Sequence, residues 1–263
     1  MSAALFDLAR TVGREAAAFV AASRPAGRVD VATTKSSPTD VVTAIDQASE
    51  QLIRDRLLGA RPDDGFLGEE GAEVVGTSGV TWIVDPIDGT VNFIYGIPSY
   101  AVAIAAAVDG VVVAGHVINV VTGEEWGGVL GEGSWRHDGD ARVALSAPAP
   151  ESLAKVLVAT GFSYSPTTRE QQAQALVGLI PHVRDIRRIG SAALDLCGLA
   201  EGRVDAYVEQ GLKPWDLAAA GLIATEAGLV LSGLDGPPDE RLVMAVHPSL
   251  AEEYFGLLRA CGF

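Results

Sequence analysis

The chain has 263 residues, 48% of them hydrophobic and 20% charged, an ordinary globular composition for one large domain or two subdomains sharing a core. Lys plus Arg number 19 against 34 Asp plus Glu, a net charge of −15. That balance argues against nucleic acid and against an anionic membrane surface as main partners. It leaves a phosphate substrate open, because bound cations invert a local field.

The N-terminus carries Asp7 and Glu15 and lacks a basic segment followed by an apolar core, so it does not read as a secretory signal. Leu5, Leu8, Ala9, Val12, Ala16, Phe19 and Val20 follow helical spacing and predict an amphipathic helix that Pro25-Ala26-Gly27 ends. The segment Lys35-Ser36-Ser37-Pro38-Thr39-Asp40 is polar and turn-rich. Ile45, Ala48, Leu52, Ile53 and Leu57 predict a second helix starting near Thr43. An early start would put Asp40, Thr43 and Asp46 on one face, whereas Asp40 or Thr43 could equally be the cap. Gly65-Phe66-Leu67-Gly68-Glu69-Glu70-Gly71 reads either as a strand end aiming a carboxylate into a site or as a solvated acidic loop.

The stretch Trp82-Ile83-Val84-Asp85-Pro86-Ile87-Asp88-Gly89-Thr90-Val91-Asn92-Phe93 carries the most chemistry. It reads as a buried strand delivering Asp85 at its end, with a turn forced by Pro86 and a helical turn opening at Gly89-Thr90. Two carboxylates this close repel unless a cation sits between them, and oxygen-only ligands favour a hard one such as magnesium. Backbone N–H groups at an adjacent helix start would bind phosphate. Asp-Pro and Asp-Gly are also common turn pairs, and a carboxylate before a helix is often only a cap. An aspartyl-nucleophile phosphatase turn, Asp-x-Asp-Gly-Thr, does not match the Asp-x-x-Asp-Gly-Thr spacing here.

Tyr100 to Val108 and Val111 to Val121 are strand-like around an Asp109-Gly110 hairpin turn, and Thr122-Gly123 turns again before Trp126 to Leu130, giving an antiparallel meander. The apolar run 101–108 is far too short to span a membrane. Ser146-Ala147-Pro148-Ala149-Pro150 reads as a linker, dividing the chain into subdomains 1–147 and 148–263. In the second half, strands at Val156–Thr160, Val183–Ile189, Val204–Val208, Leu229–Leu231 and Leu242–Val246 alternate with helices at Thr167–Leu179, from Ser191, at Leu217–Ala227 and at Pro248–Arg259, which implies layered α/β packing. Gly190-Ser191-Ala192-Ala193 fits either close helix packing or a ligand approaching the backbone. Asp216 fits a helix N-cap, a shared metal site, or both. Cys197 reads as an inert core thiol and, with Cys261, makes no disulfide framework, so a reducing, cytoplasmic location fits. His116, His137, His182 and His247 show no ligand spacing and read as surface or core-satisfied.

In this order, Lys35-Ser36-Ser37-Pro38 with Asp40-x-x-Thr43-x-x-Asp46, Gly68-Glu69-Glu70, Asp85 to Phe93, Gly190-Ser191-Ala192-Ala193 and Trp215-Asp216 resemble the inositol monophosphatase family across nearly the whole chain, most closely its bacterial inositol-1-monophosphatases. The resemblance implies a five-layered α-β-α-β-α sandwich, a homodimer, and dependence on two to three Mg2+ ions, often with lithium sensitivity. Carried onto this sequence, it implies that Glu69, Asp85 and the Ile87 carbonyl hold one magnesium. Asp85, Asp88 and Asp216 would hold a second, with Glu69 sharing a third. Gly89 and Thr90 amides would grip the phosphate, while Thr90 and Asp46 orient the attacking water. Glu69 would act with them in catalysis, and Glu70 would only support it. Ser191, Ala192 and Glu209 match positions that contact the inositol ring, and Asp88 and Asp216 would also face the substrate.

The function so implied is magnesium-dependent hydrolysis of a small phosphate monoester, first of all an inositol monophosphate. Histidinol phosphate, fructose 1,6-bisphosphate or a nucleotide 3′-phosphate are alternatives within the fold. A bisphosphate would want basic residues for its second phosphate, and Lys213, Arg187 and Arg188 flank the expected pocket. A regulatory or scaffold protein that retains the fold is the alternative of another class.

Overall fold

The structure is a computed structural model that describes residues 1–34, 41–71 and 73–263, with 41 and 42 as backbone only. The Lys35–Asp40 segment, and with it any role of Asp40, lies outside the described residues. In chain order the elements are α1 (Ser2–Ser23), β1 (Thr33–Thr34), β2 (Val41–Val42), α2 (Ala44–Ala60), β3 (Gly65–Gly68), β4 (Val80–Asp88) and α3 (Thr90–Tyr95). A meander of β5 (Ala101–Val108), β6 (Val111–Asn119), β7 (Glu125–Val129), β8 (Gly133–Asp138) and β9 (Ala141–Ala144) follows. The second half holds β10 (Leu157–Thr160), α4 (Pro166–Leu179), β11 (Asp185–Arg187), α5 (Ala192–Glu201), β12 (Ala206–Glu209), α6 (Pro214–Glu226), β13 (Val230–Ser232), β14 (Val243–Val246) and α7 (Ala251–Cys261).

Two sheets and three helical layers alternate. A seven-stranded sheet runs β3-β4-β5-β6-β7-β8-β9, and a five-stranded sheet runs β11-β10-β12-β14-β13. Residues of α1 and α2 such as Phe6, Val12 and Ile53 pack with Trp82, Val84, Val102 and Ile104 on the outer face of the larger sheet. Ala101, Ala103 and Ala105, alternating with those positions along β5, face the opposite way onto α5 and α6. Tyr207, Val243 and Ala245 close that middle layer from the smaller sheet. The outer face of the smaller sheet buries Val158, Val208 and Met244 under Leu179 of α4 and Tyr254 and Leu258 of α7. The result is the layered α-β-α-β-α sandwich expected from the sequence.

The middle layer positions the chemistry, and small residues let it form. A Cβ on Gly115 of β6 would stand 2.7 Å from the Ala219 carbonyl, and one on Gly128 of β7 would stand 3.2 Å from Ile223 Cγ1. With glycine at both places α6 lies directly on the sheet, which fixes where its first turn emerges.

Three local expectations change. The strand carrying Asp85 does not end at Pro86; it continues to Asp88 through a register shift between Asp85 and Asp88. Proline is tolerated there because an irregularity releases its nitrogen from the ladder. The second helix does not start early: Thr43 is its N-cap and Asp46 its third residue, so the two meet as a capping box rather than along one helical face. His116 and His137 are buried, but each is satisfied at one ring nitrogen only, since His116 Nε2 meets Glu125 and His137 Nε2 accepts from Trp135, while neither Nδ1 has a partner.

Candidate active site

Strand register brings the first acidic groups together. β3 and β4 are parallel with Gly68 opposite Val84, so the next residues, Glu69 just past β3 and Asp85 still within β4, stand side by side. Asp85 is 1% exposed, and its Oδ1 accepts the Ile87 N–H at 3.0 Å, which tightens the bulge. Glu50, from α2, accepts the Glu70 N–H at 2.8 Å and so holds the loop after β3. That bond gives Glu70 a backbone role in supporting its neighbour.

After the bulge Gly89 turns the chain at φ 94°, a left-handed conformation natural to glycine, and serves as N-cap of α3. Thr90 then faces back: its hydroxyl lies 3.1 Å from the Ile87 carbonyl and 3.2 Å from Asp46 Oδ1. Asp46 is fixed from its other side by the Thr43 N–H at 2.9 Å and by the Thr43 hydroxyl. Burial raises the Asp46 carboxyl above its ordinary value, against the Thr43 hydrogen bonds that favour its ionised form.

The second half of the chain contributes two helix starts. Ser191 caps α5, and its hydroxyl and the Ala193 N–H donate to Asp88 Oδ2 at 2.5 and 2.8 Å, tying α5 to the end of β4. Asp216 stands third in α6 and accepts the Lys213 N–H at 2.6 Å. It is therefore the reciprocal member of a capping arrangement, not the N-cap itself. Glu209 ends β12, where Tyr207 donates its phenol proton to Oε2 at 2.5 Å.

These groups border one cavity of about 580 Å³, lined by Glu69, Asp85, Ile87, Asp88, Gly89, Thr90, Ser191, Ala192, Glu209 and Asp216 among others. Asp46 is reached through Thr90. A larger cavity of about 900 Å³ lies against the other flank of α6, but its lining is largely apolar and lacks that acidic cluster.

The electrostatics call for a cation. One oxygen each from Asp85, Asp88 and Asp216 lies within 4.8 Å of the others. Burial first, and then the charges of Glu69, Asp88 and Asp216, push the Asp85 carboxyl well above its usual range. Burial and Asp88 do the same to Asp216, while Asp88 is pushed up to about 6 by burial against the bonds from Ser191 and Ala193. Such a cluster is ionised together only with positive charge among its oxygens. Carboxylates and a carbonyl, with no nitrogen or sulfur donor, fit a hard divalent ion. Glu69 lies outside the tight trio yet lines the cavity and acts on all three of its members.

Comparison with known proteins agrees with this geometry. A profile of the inositol monophosphatase family matches residues 2–261. The chain belongs to the inositol monophosphatase family. An inositol-1-monophosphatase of Mycobacterium bovis is 46% identical over 98% of this chain and 94% of its own length. The Nus factor SuhB of Pasteurella multocida is 36% identical over 92% of this chain and 94% of its own length. The solved structure of Mycobacterium tuberculosis SuhB superposes with a TM-score of 0.85 at 43% identity, covering 99% of this chain and 97% of that one.

In this member of a phosphomonoesterase family, Glu69, Asp85, Ile87, Asp88, Gly89, Thr90, Ser191, Ala192, Glu209 and Asp216 border one cavity, with Asp46 behind Thr90. Of the three flanking cations, Arg188 and Lys213 line it and Arg187 does not; Arg187 pairs with Asp185 at 2.6 Å. Two residues escaped the sequence reading. Glu50 sits among helical positions that look merely solvated, and its bond to the Glu70 N–H in the turn after β3 appears only in the fold. Asp195 is hidden in an otherwise apolar helix, where its spacing of four from Ser191 was the available signal.

Proposed function

We propose that the protein is a magnesium-dependent phosphomonoesterase that hydrolyses inositol monophosphate by direct attack of water. The observation that carries this is the trio of buried Asp85 and Asp88 with half-buried Asp216, whose oxygens converge within 4.8 Å beside the starts of α3 and α5. In this reading Glu69, Asp85 and the Ile87 carbonyl hold one Mg2+, Asp85, Asp88 and Asp216 a second, and Glu69 shares in a third. When bound, the ions supply the positive charge that accepts a phosphate among carboxylates and lower the pKa of water.

The chain's own groups then divide the work. Gly89 and Thr90 direct backbone amides at the phosphate. Thr90 has one hydroxyl proton and two lone pairs; with its proton on Asp46 or the Ile87 carbonyl, it accepts a hydrogen bond from water and so orients it. Asp46, locked by Thr43, holds that hydroxyl in place, and as the water gives its proton to the Thr90 oxygen the Thr90 hydroxyl proton passes to the Asp46 carboxylate. Ser191 donates to Asp88 and accepts from the Leu194 N–H, leaving an oxygen lone pair for a ring hydroxyl. Glu209 faces vicinal hydroxyls as an acceptor. Residues 1–147 thus supply most metal ligands, and 148–263 supply Asp216 and the polyol contacts.

The reading includes a homodimer, supported by family likeness, and a reducing, cytoplasmic setting, supported by Cys197 and Cys261 being free thiols. No helix among the described residues is long and apolar enough to cross a membrane. A regulatory role on the same fold has one specific support, the Nus factor SuhB name of a relative. The intact carboxylate cluster favours catalysis.

Phosphate release from inositol 1-phosphate, histidinol phosphate, fructose 1,6-bisphosphate and a 3′,5′-nucleotide tests the proposal, each with and without magnesium. Magnesium-dependent preference for inositol 1-phosphate is the expected result. Preference for another ester keeps the metal and water groups but discards the ring contacts, and no release from any of them brings the regulatory reading forward.

A further inference from the structure

Asp195 is a buried carboxylate with unfinished hydrogen bonding. It is 3% exposed, and its Oδ1 has no hydrogen-bond partner among the described residues. Asp64, a deeply buried carboxylate away from the acidic trio, shows what structural service looks like: it accepts from Arg61, Ser78 and Trp82. Buried polar atoms are nearly always paired, and leaving one unpaired costs desolvation that folding does not return. Asp195 is also not required as a helix cap, because Ser191 already performs that role for α5.

Its position gives the missing partner a direction. Asp195 follows Ser191 by four residues, so the two share the helix face that lines the catalytic cavity. Glu209 and Arg188 line the same cavity, and both act electrostatically on Asp195. Asp195 does not belong to the trio whose oxygens converge on a metal position. What remains is a neutral group entering the cavity from the Glu209 side, able to donate a hydrogen bond.

We propose that Asp195 is a specificity-determining residue of this site, whose carboxyl receives a hydroxyl of the polyol while Glu209 takes a neighbouring one. The assignment rests on the phosphomonoesterase reading and deepens it, by giving the site two carboxyl contacts for a leaving alcohol with vicinal hydroxyls. Burial, aided by Glu209 and Asp88, pushes the Asp195 carboxyl up to about 8. Near neutral pH it is then mostly an uncharged acid, which adds no repulsion toward a phosphate ester and can donate as well as accept.

Steady-state kinetics with magnesium on two esters provide the test: inositol 1-phosphate, and 4-nitrophenyl phosphate, whose leaving group has no ring hydroxyls. Asp195→Ala should raise KM for inositol 1-phosphate roughly tenfold, the scale of one lost hydrogen bond in a closed site. It should leave kcat/KM for 4-nitrophenyl phosphate within about twofold. Asp195→Ser, a second truncation should the alanine variant fail to fold, should behave alike. Asp195→Asn, which keeps a donor and an acceptor in the same shape, should recover most of the loss. Melting temperatures at or above wild type are expected, since an unpaired buried carboxyl is removed.

Equal losses on both esters, or an unchanged KM for inositol 1-phosphate in the truncations, overturn the assignment. Wild-type preference for inositol 1-phosphate over 4-nitrophenyl phosphate that is undiminished in the truncations overturns it while leaving the polyol reading intact. A wild type with no such preference overturns the polyol reading itself, and Asp195 with it.

Discussion

Thr90 Oγ1 lies 3.2 Å from Asp46 Oδ1 and 3.1 Å from the Ile87 carbonyl oxygen, so a single hydroxyl proton serves two acceptors 41 residues apart in the chain. The pair joins the start of α2 to the start of α3, and neither residue is needed by the core. Thr90→Val keeps the shape and removes the hydroxyl. Its kcat should fall roughly 10²- to 10⁴-fold, the scale of a lost proton-handling group, with little change in melting temperature. Asp46→Ala should lose similar activity and also about 1 kcal/mol of stability, because Asp46 accepts the Thr43 N–H that completes the α2 capping box. Kinetics and thermal melts on both variants check the distinction.

The acidic site makes metal-free stability depend on pH with a definite sign. Asp88 is raised from 3.8 to about 6, Glu209 from 4.5 to about 7, and Asp195 from 3.8 to about 8. Groups raised in the fold contribute fully below their unfolded values and lose that contribution as pH climbs through their folded ones. His116 and His137 are lowered by burial and act in the opposite sense below 6.5. Between about pH 6.5 and 8.5 the chelated protein should therefore melt at progressively lower temperature. Saturating magnesium should raise the melting temperature and flatten that slope, since it favours the ionised carboxylates. A chelated protein whose melting point rises over this window contradicts the account.

Gly161 controls the polyol side of the cavity. A Cβ there would stand 1.9 Å from Glu209 Oε1, too close without displacing the carboxylate. Gly161→Ala should raise KM for inositol 1-phosphate about tenfold and spare 4-nitrophenyl phosphate, which has no hydroxyls to lose contact with. Parallel kinetics on the two esters read the difference.

Far from the cavity, Glu125 accepts from Arg14 at 2.6 Å and Arg10 at 3.3 Å and meets His116 at 3.0 Å. Burial disfavours its charge, yet His116, Arg14 and Arg10 together hold its carboxyl well below the usual range. Glu125→Ala leaves the Arg10 and Arg14 guanidinium groups facing one another beside His116 at the α1–sheet contact. It should cost about 3 kcal/mol, since removing one partner of a buried pair leaves the other uncompensated, while activity per folded molecule stays unchanged. Denaturant titration with activity assays on the folded fraction measures both.

Much of this site was legible because its residues lie in short segments with strong local signals. Apolar runs marked β4 and β5, Asp109-Gly110 marked the hairpin between β5 and β6, and Asp85 to Thr90 held two cavity carboxylates and the turn into α3 in six residues. Less legible was what tertiary packing decides. The strand was read as stopping at Pro86, because sequence gives no sign that a bulge carries the ladder on to Asp88. β8 went unread since Ser134 and His137, polar residues on its two faces, are buried here, and β9 since all four of its residues are exposed. Asp216 was read as a possible cap, but the first turn of α6 starts earlier, at Pro214. Asp195 looked like a lone polar position in a core helix until the cavity showed which way that helix faces.

The most direct measurement is phosphate release from inositol 1-phosphate by chelated wild-type and Asp88→Asn protein as magnesium is added back. Wild-type activity should vanish on chelation and return with the ion. Asp88→Asn should remain at least roughly 10²-fold less active at every magnesium concentration while still melting cooperatively. Full activity in the chelated wild type, or retained turnover in Asp88→Asn, would contradict the assignment of the Asp85, Asp88 and Asp216 cluster as the metal centre of a phosphomonoesterase.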